Sequence, residues 1–252
     1  MQAGWRVLGR LLAAIANWQY FKPAVFVGCA LPLTLLAAGF FQFLAGQQDA
    51  LGVDPVKTLE HQTGVDALAL LFITLSVTPI RRLFGVNRVQ IVRRLLGVWA
   101  FVYSLVHVCA YLALDRSCYS FAACDFGEIG TDVLERRFVF VGLTSFVILV
   151  ALAVTSTGGW VRRLKRRWLV LHRLVYVAAI ASVVHFAWIQ KSDISEPLNW
   201  AGVLALLFGV RVYFAWRKWR PGMQPLAVWA TLPGSTAPRT SLPRQVPSSD
   251  PD

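Results

Sequence analysis

Three of the chain's four histidines, His107, His172 and His185, fall inside apolar runs long enough to cross a membrane. An imidazole there has no water to satisfy it, so it faces the bundle interior and takes a partner or a ligand. His172 and His185 share one run, Lys165–Gln190 (KRRWLVLHRLVYVAAIASVVHFAWIQ). At about 1.5 Å rise and about 100° per residue, they lie about 20 Å apart along the helix axis and about 140° around it, so they cannot serve one planar ligand on a single face. His107 sits in a separate run, YSLVHVCAYLAL. Counted from the ends nearest the basic loops, His107 lies about 18 Å deep, His172 about 6 Å and His185 about 25 Å. The gap of about 7–8 Å between His107 and His185 suits axial ligands on the two faces of a tilted porphyrin.

Two neutral imidazoles on facing helices suit iron, and a bundle core is a usual place for a cofactor held by inward side chains. With both axial positions filled by nitrogen, the iron has no site for oxygen or substrate and can only change redox state. The pattern therefore points to electron transfer through a b-type haem. His172 is left without a histidine mate. The open readings are a second haem with a weaker or water ligand, a flavin or quinone contact, or a share in the first site if the helices shift or kink. Arg173, Arg93 and Arg94 lie at the same depth as His172 and could pair with haem propionates; the competing reading is topology and lipid contact. His61, at the outer edge of the second run, is a candidate cofactor or quinone contact, weighed against a solvated interfacial imidazole.

The elements that must position these residues are six apolar runs, 24–43, 64–80, 95–114, 138–154, 168–188 and 200–216. Each is long enough for the ~30 Å of bilayer hydrocarbon with modest tilt. The expected fold is an all-α polytopic bundle of six transmembrane helices. The chain is 56% hydrophobic and 15% charged, which no soluble domain of this length matches. Tryptophans at the run ends, such as Trp160, Trp168, Trp188 and Trp200, fit an interfacial belt. Residues 1–22 place Trp5, Leu8, Leu12 and Ile15 near helical spacing with Arg6 and Arg10 between them, the pattern of a short interfacial helix.

A net charge of +12 raises nucleic acid as a partner, but its distribution argues against it. Arginines and lysine crowd the segments 81–94 and 159–167, whereas Asp49, Asp54, Glu60, Asp115, Asp125, Glu128, Asp132, Glu135, Asp193 and Glu196 occupy the alternate loops. By the positive-inside rule both termini and the basic loops are cytoplasmic, with membrane lipids as the counter-charge. Cys118 and Cys124 share the large acidic loop, where pairing and two free thiols are both open, and Cys29 and Cys109 lie in spans. No spacing for covalent c-type haem or structural zinc is present. Residues 23–219 read as one haem-binding transmembrane domain, and 220–252, rich in Pro, Ser and Thr, as a disordered cytoplasmic tail.

The chain has no dinucleotide-binding glycine motif after a strand, no phosphate-binding loop and no paired intramembrane carboxylates. Electrons must then come from a lipid-soluble donor or a separate protein. The fourth and sixth spans, without titratable residues in their middles, read as packing and lipid-facing helices. Alternatives of other classes are a proton-coupled transporter using the histidines as a relay and a non-catalytic scaffold. Within redox chemistry, a ferric or cupric reductase-type carrier is the alternative.

In order, DPVKTLEHQTG, VTPIRR, RRLLGVWAFVYSLVHVCAYL, AVTSTGGW and KRRWLVLHRLVYVAAIASVVHFAW resemble the MsrQ family, formerly YedZ. These are haem-binding membrane subunits of the bacterial periplasmic methionine-sulfoxide reductase system, within the ferric-reductase-like transmembrane superfamily. The likeness covers roughly residues 22–219. Where the family often has Asn-Pro before the second span, this chain has Asp54-Pro55. The resemblance implies a six-helix protein of the bacterial inner membrane carrying haem b, one or two, and FMN. It implies electron flow from the quinone pool to a periplasmic molybdopterin subunit, MsrP, which reduces methionine sulfoxide in proteins and so repairs them. The family's functional histidines fall on His107, His172 and His185.

Overall fold

A computed structural model of the chain describes residues 2–120, 124–190 and 194–219. The chain forms two compact units, Met1–Arg211 and Val212–Asp252, and the described part of the second, 212–219, is helical. The expected tail, 220–252, and Asp193 lie outside the described residues. Among those described there is no strand, and six helices are long and apolar enough to cross a membrane.

The helices are α1 (Gln2–Asn17), α2 (Phe21–Leu44), α3 (Pro55–Phe84), α4 (Gln90–Ala110), α5 (Phe126–Glu135), α6 (Arg137–Val154), α7 (Gly158–Leu164), α8 (Arg166–Leu171), α9 (Val175–Ile189) and α10 (Ser195–Trp219). Helix α3 begins well before the run read from hydropathy. Asp54 accepts a hydrogen bond from the Lys57 N–H and Pro55 occupies the first turn, so the polar segment carrying Glu60 and His61 is helical. It ends at Gly85, whose φ of 73° is the left-handed conformation glycine adopts without strain. The run holding His172 and His185 is one helical span, Arg166–Ile189, tightened by a 3₁₀ turn at His172–Leu174 between α8 and α9.

Helix α3 packs along α4 and α6 along α9, and α4 also meets α6. Leu71, Leu75, Ala100, Leu149, Ala178 and Ala179 lie in the core where these helices join. Polar links also stitch the bundle, among them one between α6 and α9 and one between α2 and α4. Ser145 on α6 is buried, donates to the Ala178 carbonyl at 3.0 Å and lies 2.8 Å from the Ser182 hydroxyl on α9, an interhelical contact suited to a medium without water. At Pro32 the α2 ladder opens, and the buried Tyr103 hydroxyl of α4 enters it. The Leu33 N–H donates to that oxygen at 2.9 Å, and the hydroxyl donates onward to the Cys29 carbonyl at 2.8 Å. Leu35, Phe41, Val147 and Leu206 point outward, as side chains facing lipid do.

Candidate functional site

The site lies where the acidic-loop ends of α3, α4, α6 and α9 come together. His107 projects from α4 and its Nδ1 lies 2.8 Å from the Glu60 carbonyl on α3. His185 projects from α9 and its Nδ1 lies 2.7 Å from the Phe138 carbonyl on α6. A carbonyl can only accept, so each Nδ1 carries the proton and each Nε2 keeps a free lone pair, the arrangement of a metal-binding imidazole with its outer hydrogen bond in place.

Both carbonyls belong to helices whose own bonds already use them, so a side approach is needed. The same device supplies it twice. Gly64 stands four residues after Glu60, and Gly142 four residues after Phe138, where a side chain would otherwise cover the carbonyl. A Cβ on Gly64 would lie 3.2 Å from the His107 Nδ1; one on Gly142 would lie 2.6 Å from the His185 ring. Thr63, fully buried, closes the His107 side with its hydroxyl 3.5 Å from Nδ1.

The His107 and His185 ring centres are 6.2 Å apart with planes at 87°. Helices α4 and α9 share no extended backbone contact among the described residues, so the two helices approach here through these imidazoles, edge to face.

His172 is elsewhere, near the basic loops. Its ring stacks on Trp168 at 3.9 Å, its Nδ1 lies 3.2 Å from the Trp168 carbonyl, and its buried Nε2 has no protein partner. Of the three arginines singled out at this depth, Arg93 is half-buried, while Arg94 and Arg173 are exposed. His61 is exposed, with its Nε2 4.0 Å from Glu196 and its ring 5.9 Å from Phe186, and does not join the ring pair.

Reading the fourth and sixth spans as packing helices omits what they carry. Helix α6 supplies the Phe138 carbonyl and the Gly142 gap. Helix α10 turns Arg211 inward, where it donates to the Leu75 and Leu207 carbonyls and lies over the Tyr176 ring at 5.3 Å. A lone arginine late in an apolar run was the visible signal. For the carbonyls, the signal was a glycine inside a helix, which by itself has many causes.

At the acidic-loop end, Cys118 and Cys124 form a disulfide. Beside it Arg116 pairs with Asp115, Glu128 and Asp132, and its Nε donates to the Tyr111 hydroxyl. That hydrogen bond, foremost, holds the Arg116 guanidinium above its ordinary pKa.

Six helices long and apolar enough to cross a bilayer define a multi-pass membrane protein, and residues 63–183 match the ferric reductase like transmembrane component family. Relatives narrow this further. The chain is 45% identical to the protein-methionine-sulfoxide reductase heme-binding subunit MsrQ of Xanthomonas euvesicatoria over 78% of this chain and 86% of that protein. Identity is 43% to the MsrQ of Xanthomonas campestris pv. campestris, over 88% and 95% of the two chains. It is 41% to that of Rhodospirillum rubrum, over 80% and 92%. The chain belongs to the MsrQ family.

Proposed function

We propose that this protein is a membrane electron-transfer subunit that holds a b-type haem between His107 and His185. The observation that carries the reading is the ring pair itself, 6.2 Å apart with both Nδ1 atoms committed to backbone carbonyls. Among the described residues no three His, Cys, Asp or Glu side chains gather as a metal-holding group. The pair therefore suits a metal whose other ligands come with it, which a porphyrin's four nitrogens provide. Bound there, haem would supply one-electron redox chemistry. His107 and His185, held by the Glu60 and Phe138 carbonyls, are the residues that would hold its iron.

His172, with a buried Nε2 and a stacked Trp168, supports a second cofactor contact nearer the basic loops, for which haem, FMN and a quinone headgroup are the candidates. The charge pattern supports placing that end in the cytoplasm and the His107–His185 end outside, in the bacterial inner membrane. Electrons then enter from the quinone pool and leave outward to a methionine-sulfoxide reductase catalytic subunit such as MsrP; the relatives' names support the haem and the partnership with a methionine-sulfoxide reductase. The ferric reductase match keeps one alternative in view, delivery to a metal chelate rather than a protein.

Haem and flavin quantification on the purified protein, followed by dithionite reduction and reoxidation with either oxidised MsrP or a ferric chelate, tests this. Fast reoxidation by MsrP supports the protein route; reoxidation only by the chelate favours the alternative. A haem-free preparation from haem-replete cells ends both.

A further inference from the structure

We propose that Asp132 is a positioning residue whose one carboxylate ties together the two backbone segments that hold the His107 and His185 rings. The inference rests on the haem reading above. Asp132 sits on α5, outside the spans, with 7% of its surface exposed. Its Oδ2 accepts from the Tyr111 hydroxyl at 2.6 Å and from Arg116, and its Oδ1 accepts from the Arg136 Nε at 3.0 Å.

Each oxygen leads to a different ring. Tyr111 follows His107 by one turn, and its N–H donates to the His107 carbonyl. Arg136 stands two residues before Phe138, whose carbonyl holds the His185 Nδ1. The α4 ladder is also irregular here: residues Tyr111–Asp115 form a π turn, closed by the Arg116 N–H on the Tyr111 carbonyl at 3.1 Å. Such single π turns are rare and are found mostly at functional sites.

Other devices shape the same connection: the disulfide joins Cys118 to Cys124, Asp125 caps α5 by accepting from the Gly127 and Glu128 N–H groups, and Arg116 pairs with Glu128. Asp132 is the residue whose two oxygens reach Tyr111 at the end of α4 and Arg136 at the start of α6.

The test uses the full-length, haem-bound protein in detergent, with Asp132→Asn and the milder Tyr111→Phe, which keeps the Asp132 carboxylate and its arginine partners and removes the hydroxyl that joins Tyr111 to Asp132 and Arg116. Haem content, the ferric low-spin electron paramagnetic resonance signal and the midpoint potential are read for each. Both variants are expected to hold haem near the wild-type level, with a shifted signal and a shifted potential, more so in Asp132→Asn. If Asp132→Asn fails to accumulate, Tyr111→Phe decides. Wild-type signal and potential in Tyr111→Phe overturn the proposal, even where stability has dropped. A haem-free wild type sinks the underlying reading instead, and is recognised before any variant is made.

Discussion

Gly142 and His185 are matched in shape: a single methyl group on the glycine would stand 2.6 Å from the imidazole. The ring is held against the same face of α6 by its bond to the Phe138 carbonyl, so a ring that retreats from the methyl group gives up that bond. The Gly64–His107 contact repeats the relationship with more room.

Gly142→Ala is therefore expected to weaken haem retention by about tenfold or more, the range found when a metal ligand loses its outer hydrogen bond. Gly64→Ala should cost less, because 3.2 Å asks only for a small shift of the ring. Haem-to-protein ratio after detergent washing measures both, and equal retention in the two variants would contradict the ranking.

Much of this arrangement was readable in advance, and for identifiable reasons. Spans are set by length and apolarity, properties of a short window, so six were visible. Helical rise alone put His107 and His185 at similar depth. The 3₁₀ turn at His172–Leu174 has no local signal, because residues HRL carry no proline or glycine. The start of α3 was missed by treating polarity as the end of a helix, although Asp54-Pro55 is a good cap. The carbonyl partners and the Asp132 tether join residues distant in the chain, which no local pattern encodes.

Tyr103→Phe should remove the hydroxyl that completes the opened ladder at Pro32, leaving the Leu33 N–H and the Cys29 carbonyl short of a partner. A loss of about 1–3 kcal/mol in stability follows. Thermal unfolding in detergent measures it, and the haem spectrum of the folded variant should be unchanged, since Tyr103 does not touch either ring pair member in the contacts described.

Ser145→Ala and Ser182→Ala test the pin between α6 and α9. Each should cost about 0.6–1.7 kcal/mol, the span measured for interhelical hydrogen bonds in membranes. Because both hydroxyls serve one contact, the double variant should cost less than the sum of the singles. Strict additivity would show that the two serines act separately.

His172→Ala should leave the site between α4 and α9 intact, since that imidazole belongs to the Trp168 stack at the other end. Its effect is expected on electron entry: slower reduction by a quinol, with dithionite reduction unchanged. Equal slowing with both reductants would place His172 in the first site after all.

The most direct measurement is low-temperature electron paramagnetic resonance of the ferric protein, wild type beside His107→Ala and His185→Ala. Ring planes 87° apart predict a highly anisotropic low-spin signal in the wild type, lost in each single variant and kept in His172→Ala. Survival of that signal without His107 or without His185 would contradict the shared iron on which this account stands.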